Sequence, residues 1–266
     1  GLGDVYKRQH GAPVLAYRGG VTTANSTSVS PLNLDNIDAI LFDLDGVITP
    51  TAEVHMRAWS RMFNQVLVDY EGQTPYTDAD YFQYVDGKPR YDGVRSFLAS
   101  RGIELPFGEP TDAPAAATIC GLGNRKNDLV LTILEEEGVD PYPGSIAFLD
   151  SLPTHVRIAI VSSSKNAPVV LKAAGVFERF ETVVDGNVAA EKQIAGKPEP
   201  DTYVYGATLL DTTPARSIVV EDATSGVEAG AAGAFAQVIG VNRGVGHDAL
   251  RAAGATIVVD DLEELA

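Results

Sequence analysis

The chain has 266 residues, 45% of them hydrophobic and 21% charged, which suits one large domain or a core with a smaller companion and excludes a fibrous or wholly unfolded protein. Its formal net charge is −16 with no offsetting basic stripe, which argues against nucleic acid or an anionic membrane as partner. The single cysteine, Cys120, allows no disulfide within the chain and fits a reducing cytoplasm, and no apolar run reaches the ~18 residues of a membrane helix.

Residues 1–34 show little periodicity and read as a disordered leader. "GLGDVYKRQ" resembles a translated adaptor remnant and lacks the charged-then-apolar order of a secretion signal, and "TTANSTSVSP" is a polar run of turn formers. "IDAILFDLD" is a continuous apolar run ending in acid, as in a strand buried on both faces of a parallel sheet. From about Thr51 to Gly138 the pattern is mainly helical: "AEVHMRAWSRMFNQVL", "YDGVRSFLASRG" and "RKNDLVLTILEEEG" space apolar residues at helical intervals. Between them, "EGQTPYTDADYFQYVDGKPR" and "PFGEPTDAPAAATICGLG" read as turn-rich connections. After Pro143 strand-like runs alternate with helices: "VRIAIV", "TVV", "SIVV", "QVIGV" and "TIVV". This is the texture of an α/β, doubly wound parallel sheet. The expected organisation is a core of residues 35–50 and 140–266, interrupted by a helical insert over 51–139.

Ligands of such sheets bind beyond the carboxyl ends of the strands. The first strand ends in Asp43 and Asp45; "VRIAIV" is followed by Ser162, Ser163, Ser164, Lys165 and Asn166; "GKPEP" supplies Lys197; "SIVV" ends in Glu221 and Asp222. Each group alone has an ordinary reading: an Asx turn, a helix N-cap, a solvated lysine, a capping acid. Their joint placement after strands is what points to chemistry. Four converging carboxylates repel unless a cation neutralises them, and oxygen donors without His or Cys suit Mg²⁺. Asp43 could then attack phosphorus as a nucleophile, and Asp45 could serve as general acid and base if the chain leaves strand geometry there. Ser162 would donate to the transferring phosphate, and Lys197 would bridge it to Asp43.

In "DLDGVIT", Ser162, "GKPEPD" and "EDATSGVEAG" the chain resembles the haloacid-dehalogenase superfamily, over nearly its whole length from Ile37, and within it the β-phosphoglucomutase-like branch. The resemblance implies a Rossmann-like core with an inserted helical cap, and Mg²⁺ held by Asp43, the Asp45 carbonyl, Glu221 and Asp222. It also implies substrate contacts from Thr51, His55 and Trp59 in "TAEVHMRAW". "DGKPR" adds Arg90 beside Gly87, and "SSSKN" adds Ser164, Lys165 and Asn166, for the phosphate that is not transferred, with Ser163 as a further substrate contact. Two positions depart from the family pattern: Asp86 stands where lysine is usual, and Pro50 occupies the middle of the hinge. The function implied is a phosphomutase that interconverts β-glucose 1-phosphate and glucose 6-phosphate. The alternatives are a sugar-phosphate phosphatase using the same residues and a non-catalytic phosphosugar-binding protein. The expected partner is a small sugar phosphate, and the expected state a monomer.

Overall fold

All four residues of strand β1 (Ala39–Phe42) are buried, and the two-residue period of a strand sorts them. Ile40 and Phe42 join one hydrophobic cluster, Ala39 and Leu41 another on the opposite face. A strand apolar at every position needs cover on both sides. It receives that cover at the centre of a six-stranded sheet of order β3-β2-β1-β4-β5-β6. The other strands are β2 (Arg157–Val161), β3 (Thr182–Val184), β4 (Ser217–Glu221), β5 (Gln237–Val241) and β6 (Ile257–Val259), and every pairing is parallel. The order reverses between β1 and β4, which puts the crevice of a doubly wound sheet beyond their carboxyl ends.

This computed structural model describes residues 32–266 except 86, 87 and 89. The leader expected over residues 1–34 lies outside the described residues apart from its last three, of which Leu32 and Leu34 already pack against the core. Between β1 and β2 the chain is helical. It forms α1 (Thr51–Leu67), α2 (Asp78–Asp80) running into a π-helical turn (Tyr81–Val85), α3 (Arg90–Ser100), α4 (Ile119–Glu137) and α5 (Pro143–Ser151). Trp59, Met62 and Phe63 of α1 pack with Tyr76, Phe97 of α3 and Leu122 of α4 into a cluster of their own. The later helices are α6 (Ala167–Ala173), α7 (Gly186–Lys192), α8 (Asp201–Leu209), α9 (Thr224–Ala232) and α10 (His247–Ala253). No helix among the described residues is long and apolar enough to cross a membrane.

The structure departs from the sequence expectation inside both turn-rich connections. Helix α4 starts at Ile119, because the Thr118 hydroxyl accepts the Gly121 N–H at 2.9 Å and donates to Asp112 at 2.6 Å. A capping box between Thr77 and Asp80 starts α2 within what reads as loop. Two short helices carry no periodic signal: α5, which begins on Pro143, and α7, capped by Asp185.

Candidate active site

The end of β1 delivers Asp43, whose N–H donates to Val220 O on β4 at 2.9 Å. Lys197, from the segment before α8, reaches under it. Its Nζ donates to Asp43 Oδ1 at 2.5 Å, to Glu221 Oε1 at 2.6 Å and to Val161 O at 3.0 Å. The Tyr203 ring lies 4.9 Å from the same ammonium, and its hydroxyl donates to Glu221 Oε1 at 2.9 Å. The other Glu221 oxygen accepts the Asp222 and Ala223 amides, each at 3.1 Å. Burial opposes charge on Lys197, but Asp43 and Glu221 outweigh it and hold the ammonium protonated. Burial pushes Asp43 well above the usual carboxylate range; Lys197 opposes the rise while Glu221, Asp45 and Asp222 add to it. Asp222 is pushed up to about 7 by burial, then by Glu221 and Asp45. Carboxylate oxygens of Asp43, Glu221 and Asp222 lie within 4.8 Å of one another. This all-oxygen, electron-rich set, with one lysine to balance it, fits a hard divalent cation such as Mg²⁺.

Beyond Asp43 the backbone leaves the strand. Ile48 and Thr49 N–H groups both donate to Leu44 O, and the Gly46 N–H donates to Thr49 O at 2.8 Å. Gly46 sits at φ +81°, and a side chain there would also run into the Asp222 carboxylate. Asp45 therefore lies in an irregular turn, beyond the regular alternation of the strand. Asp45 is raised above the usual carboxylate range by burial, against the pull of the Thr51 hydroxyl, Lys197 and Lys126. Thr51 is fully buried, its Oγ1 2.9 Å from that of Thr49.

After β2, Ser162 Oγ accepts the Ser164 N–H and Ser164 Oγ accepts the Asn166 N–H, both at 3.1 Å. A hydroxyl whose lone pairs are occupied by backbone amides keeps its own O–H free for an anion. Ser162 is buried, while Ser163 and Lys165 are exposed.

The helical insert faces this edge with cations. Lys126 of α4 is only 6% exposed; its Nζ lies 2.5 Å from His55 Nδ1 and 4.9 Å from the centre of the Trp59 ring. Burial, aided by Arg90, lowers Lys126 to about 7, against a pull from Asp45. Burial, Lys126 and Arg90 lower His55 to about 3, so its imidazole is neutral and can accept from the ammonium. Trp59 itself is buried and stacked on Phe63 at 5.3 Å, so it supports Lys126 from below. Arg90 Nη2 donates to Asn127 Oδ1 at 2.9 Å, and the same oxygen accepts from Asn166 Nδ2 of the β2–α6 loop at 3.0 Å. Gly87 lies outside the described residues.

Lys126, Asn127 and Tyr203 are absent from the sequence-derived site. Lys126 carried a legible signal: it falls on the apolar stripe Leu122–Lys126–Val130–Ile133 of an amphipathic helix, where a charge needs a reason. Asn127 and Tyr203 carried none.

The profile described as haloacid dehalogenase-like hydrolase matches residues 37–233. Beta-phosphoglucomutase of Mycobacterium bovis is 47% identical over 242 residues, covering 87% of this chain and 92% of that one. Hexitol phosphatase A of Escherichia coli is 32% identical, covering 85% of this chain and 91% of that one. Among solved structures, beta-phosphoglucomutase from Clostridium difficile superposes with a TM-score of 0.65 at 27% identity, over 86% of this chain and 93% of that one.

Proposed function

The chain belongs to the haloacid dehalogenase-like hydrolase family, and on that premise we propose that it is a Mg²⁺-dependent phosphomutase interconverting β-D-glucose 1-phosphate and glucose 6-phosphate through an aspartyl-phosphate and a sugar bisphosphate. The observation that carries this reading is a second group of hydrogen-bond donors, remote in sequence from Asp43. Arg90 of the insert and Asn166 of the core share one oxygen of Asn127, a meeting point that a phosphate oxygen could take over. A phosphatase has less need of such a set, whereas a mutase must hold one phosphate while it moves the other.

In this reading the segment 51–139 is a cap over a core of residues 35–50 and 140–266. The free oxygen of Asp43 attacks phosphorus, since Oδ1 is engaged by Lys197. The sugar oxygen leaves with a proton from Asp45, whose raised carboxyl is suited to carry one. That step takes the 1-phosphate from the sugar bisphosphate and leaves glucose 6-phosphate with Asp43 phosphorylated. When β-glucose 1-phosphate binds next, its 6-hydroxyl gives its proton to Asp45 while attacking the phosphoaspartate, Asp43 is released, and the bisphosphate so formed turns over to present its 1-phosphate. Ser162 and Lys197 donate to the moving phosphate; Lys126, Arg90, Ser164, Lys165 and Asn166 hold the stationary one, and His55 keeps Lys126 aimed. Mg²⁺, held by Asp43, Asp222, Glu221 and the Asp45 carbonyl, would neutralise the acids and hold Asp43 ionised at neutral pH. Closure of the cap keeps water from the phosphoaspartate.

The test is to supply β-glucose 1-phosphate with a trace of the 1,6-bisphosphate and follow glucose 6-phosphate against free phosphate. The mutase yields the isomer; stoichiometric phosphate release without it gives the reaction to a sugar-phosphate phosphatase, the reading that the Escherichia coli relative favours. Thermal melts with and without Mg²⁺ check the cation independently. At a hundredfold excess over its dissociation constant the ion should stabilise the fold by about 3 kcal/mol.

A further inference from the structure

Three successive carbonyls follow Asp45, and each is held by a donor from far along the chain. Gly46 O accepts from Arg243 Nε at 2.9 Å, Val47 O from Ser145 Oγ at 2.6 Å, and Ile48 O from the Tyr142 N–H at 2.9 Å. Tyr142 and Ser145 lie where the chain returns from the helical insert, and Arg243 lies just after β5. The Arg243 guanidinium stacks 3.9 Å over the Tyr142 ring. One side chain therefore grips both the outgoing and the returning segments of the insert.

We propose that Arg243 is a positioning residue for proton transfer: by fixing the Gly46 carbonyl and stacking on Tyr142, it sets the direction in which Asp45 points. Gly46 then has no freedom at either end, because its N–H is bound to Thr49 O at 2.8 Å. Asp45 is attached directly to that fixed unit. The loop bearing Arg243 is itself rigid, since Asn242 Oδ1 accepts the Gly244 and Gly246 N–H groups at 3.2 and 2.9 Å.

A surface ion pair would be the ordinary role for such an arginine. Its contacts to Asp261 Oδ2 and Asp260 O are long, 3.3 Å each, while the contact to Gly46 is the short one. The buried Nη2 atom has no partner among the described residues. An arginine kept for charge alone would not bury an idle donor; one kept for a planar stack and a single aimed N–H does. Lysine offers a donor but no plane.

The proposal rests on Asp45 as the proton carrier, and the test separates the two. β-Glucose 1-phosphate has a poor leaving group that needs a proton, whereas p-nitrophenyl phosphate expels a stable phenolate without one. Arg243→Ala should lower kcat for the sugar phosphate about a hundredfold with KM within about threefold, as a misplaced group does. The first-turnover release of nitrophenolate should change by less than about threefold. Arg243→Lys should recover about tenfold of the loss. Asp45→Asn is the control and should show the same leaving-group pattern. If Asp45→Asn slows both substrates alike, the reading of Asp45 fails. If Asp45→Asn discriminates but Arg243→Ala slows both alike, or neither, the role of Arg243 is overturned. Should Arg243→Ala not fold, Arg243→Lys carries the test, with about a tenfold loss confined to the sugar phosphate expected and an equal loss on both substrates refuting it.

Discussion

Among the described residues two lysine side chains are enclosed, those of Lys197 and Lys126, and their surroundings are opposite. Lys197 at the strand ends sits between two carboxylates, at 2.5 and 2.6 Å, and is held charged. Lys126 in the helical insert rests against a neutral imidazole and an indole face, and among the described residues no carboxylate comes within ion-pair distance of it. Burial costs both of them charge; the partner decides whether the charge survives. The strand-end lysine completes a cluster that exists before any ligand arrives. The insert lysine is a cation short of counter-charge, and an anionic substrate is what would supply it.

Replacing each lysine by methionine breaks the comparison most directly. Lys197→Met leaves Asp43 and Glu221 facing each other unpaired, and denaturant melts should show about 3–5 kcal/mol of lost stability. Lys126→Met removes a desolvated charge from an apolar stripe and should leave stability unchanged or raise it. Yet kcat/KM for the sugar phosphate should fall about tenfold to a hundredfold, the worth of a charged hydrogen bond. Equal losses of stability in the two variants would show that the environments are alike.

The contrast also explains what the sequence disclosed. The strand-end cluster was legible because apolar runs announce their own ends, and a doubly wound sheet gathers those ends on one edge. Asp43 and Glu221 meet through the Lys197 ammonium, and Ser162 follows β2, the strand beside β1. The insert offers no such rule. His55 and Lys126 are 71 residues apart and meet only because α1 packs along α4. Arg243 and Asn127 act through hydrogen bonds to groups that periodicity does not mark. The start of α4 was hidden for a local reason: a threonine cap inside a run of prolines and glycines looks like more loop.

pH resolves the two lysines next. Lys126 titrates near 7 in the folded chain against 10.5 as its ordinary value. Between those values the unfolded chain binds a proton that the folded one lacks, so this group makes stability rise with pH across that window. The rise is at most about 1.4 kcal/mol per pH unit. The difference between parent and Lys126→Met in urea melts from pH 7 to 9.5 isolates it: the parent should gain on the variant, and a flat difference would mean that Lys126 is not desolvated. Asp222, raised from 3.8 to about 7, has the opposite sign below neutrality. Its folded form holds the extra proton, so its contribution falls as pH rises toward 7 in metal-free protein.

The smallest expected effect concerns Trp59, which the family resemblance presents as a substrate contact. At 5% exposure, with one face on Phe63 and Lys126 beside it, the indole has little surface left for a sugar. Its contribution should be to seat the ammonium. Trp59→Phe keeps the aromatic stack but loses volume and part of the ring's attraction for the cation, a cost of about 1 kcal/mol in stability. The change in kcat/KM should stay under about fivefold, consistent with a weakened cation–ring contact. A tenfold rise in KM without a fall in melting temperature would place Trp59 against the substrate instead. The insert face would then hold sugar with an aromatic surface as well as phosphate with charge, and Lys126 would owe less of its poise to the ring beneath it.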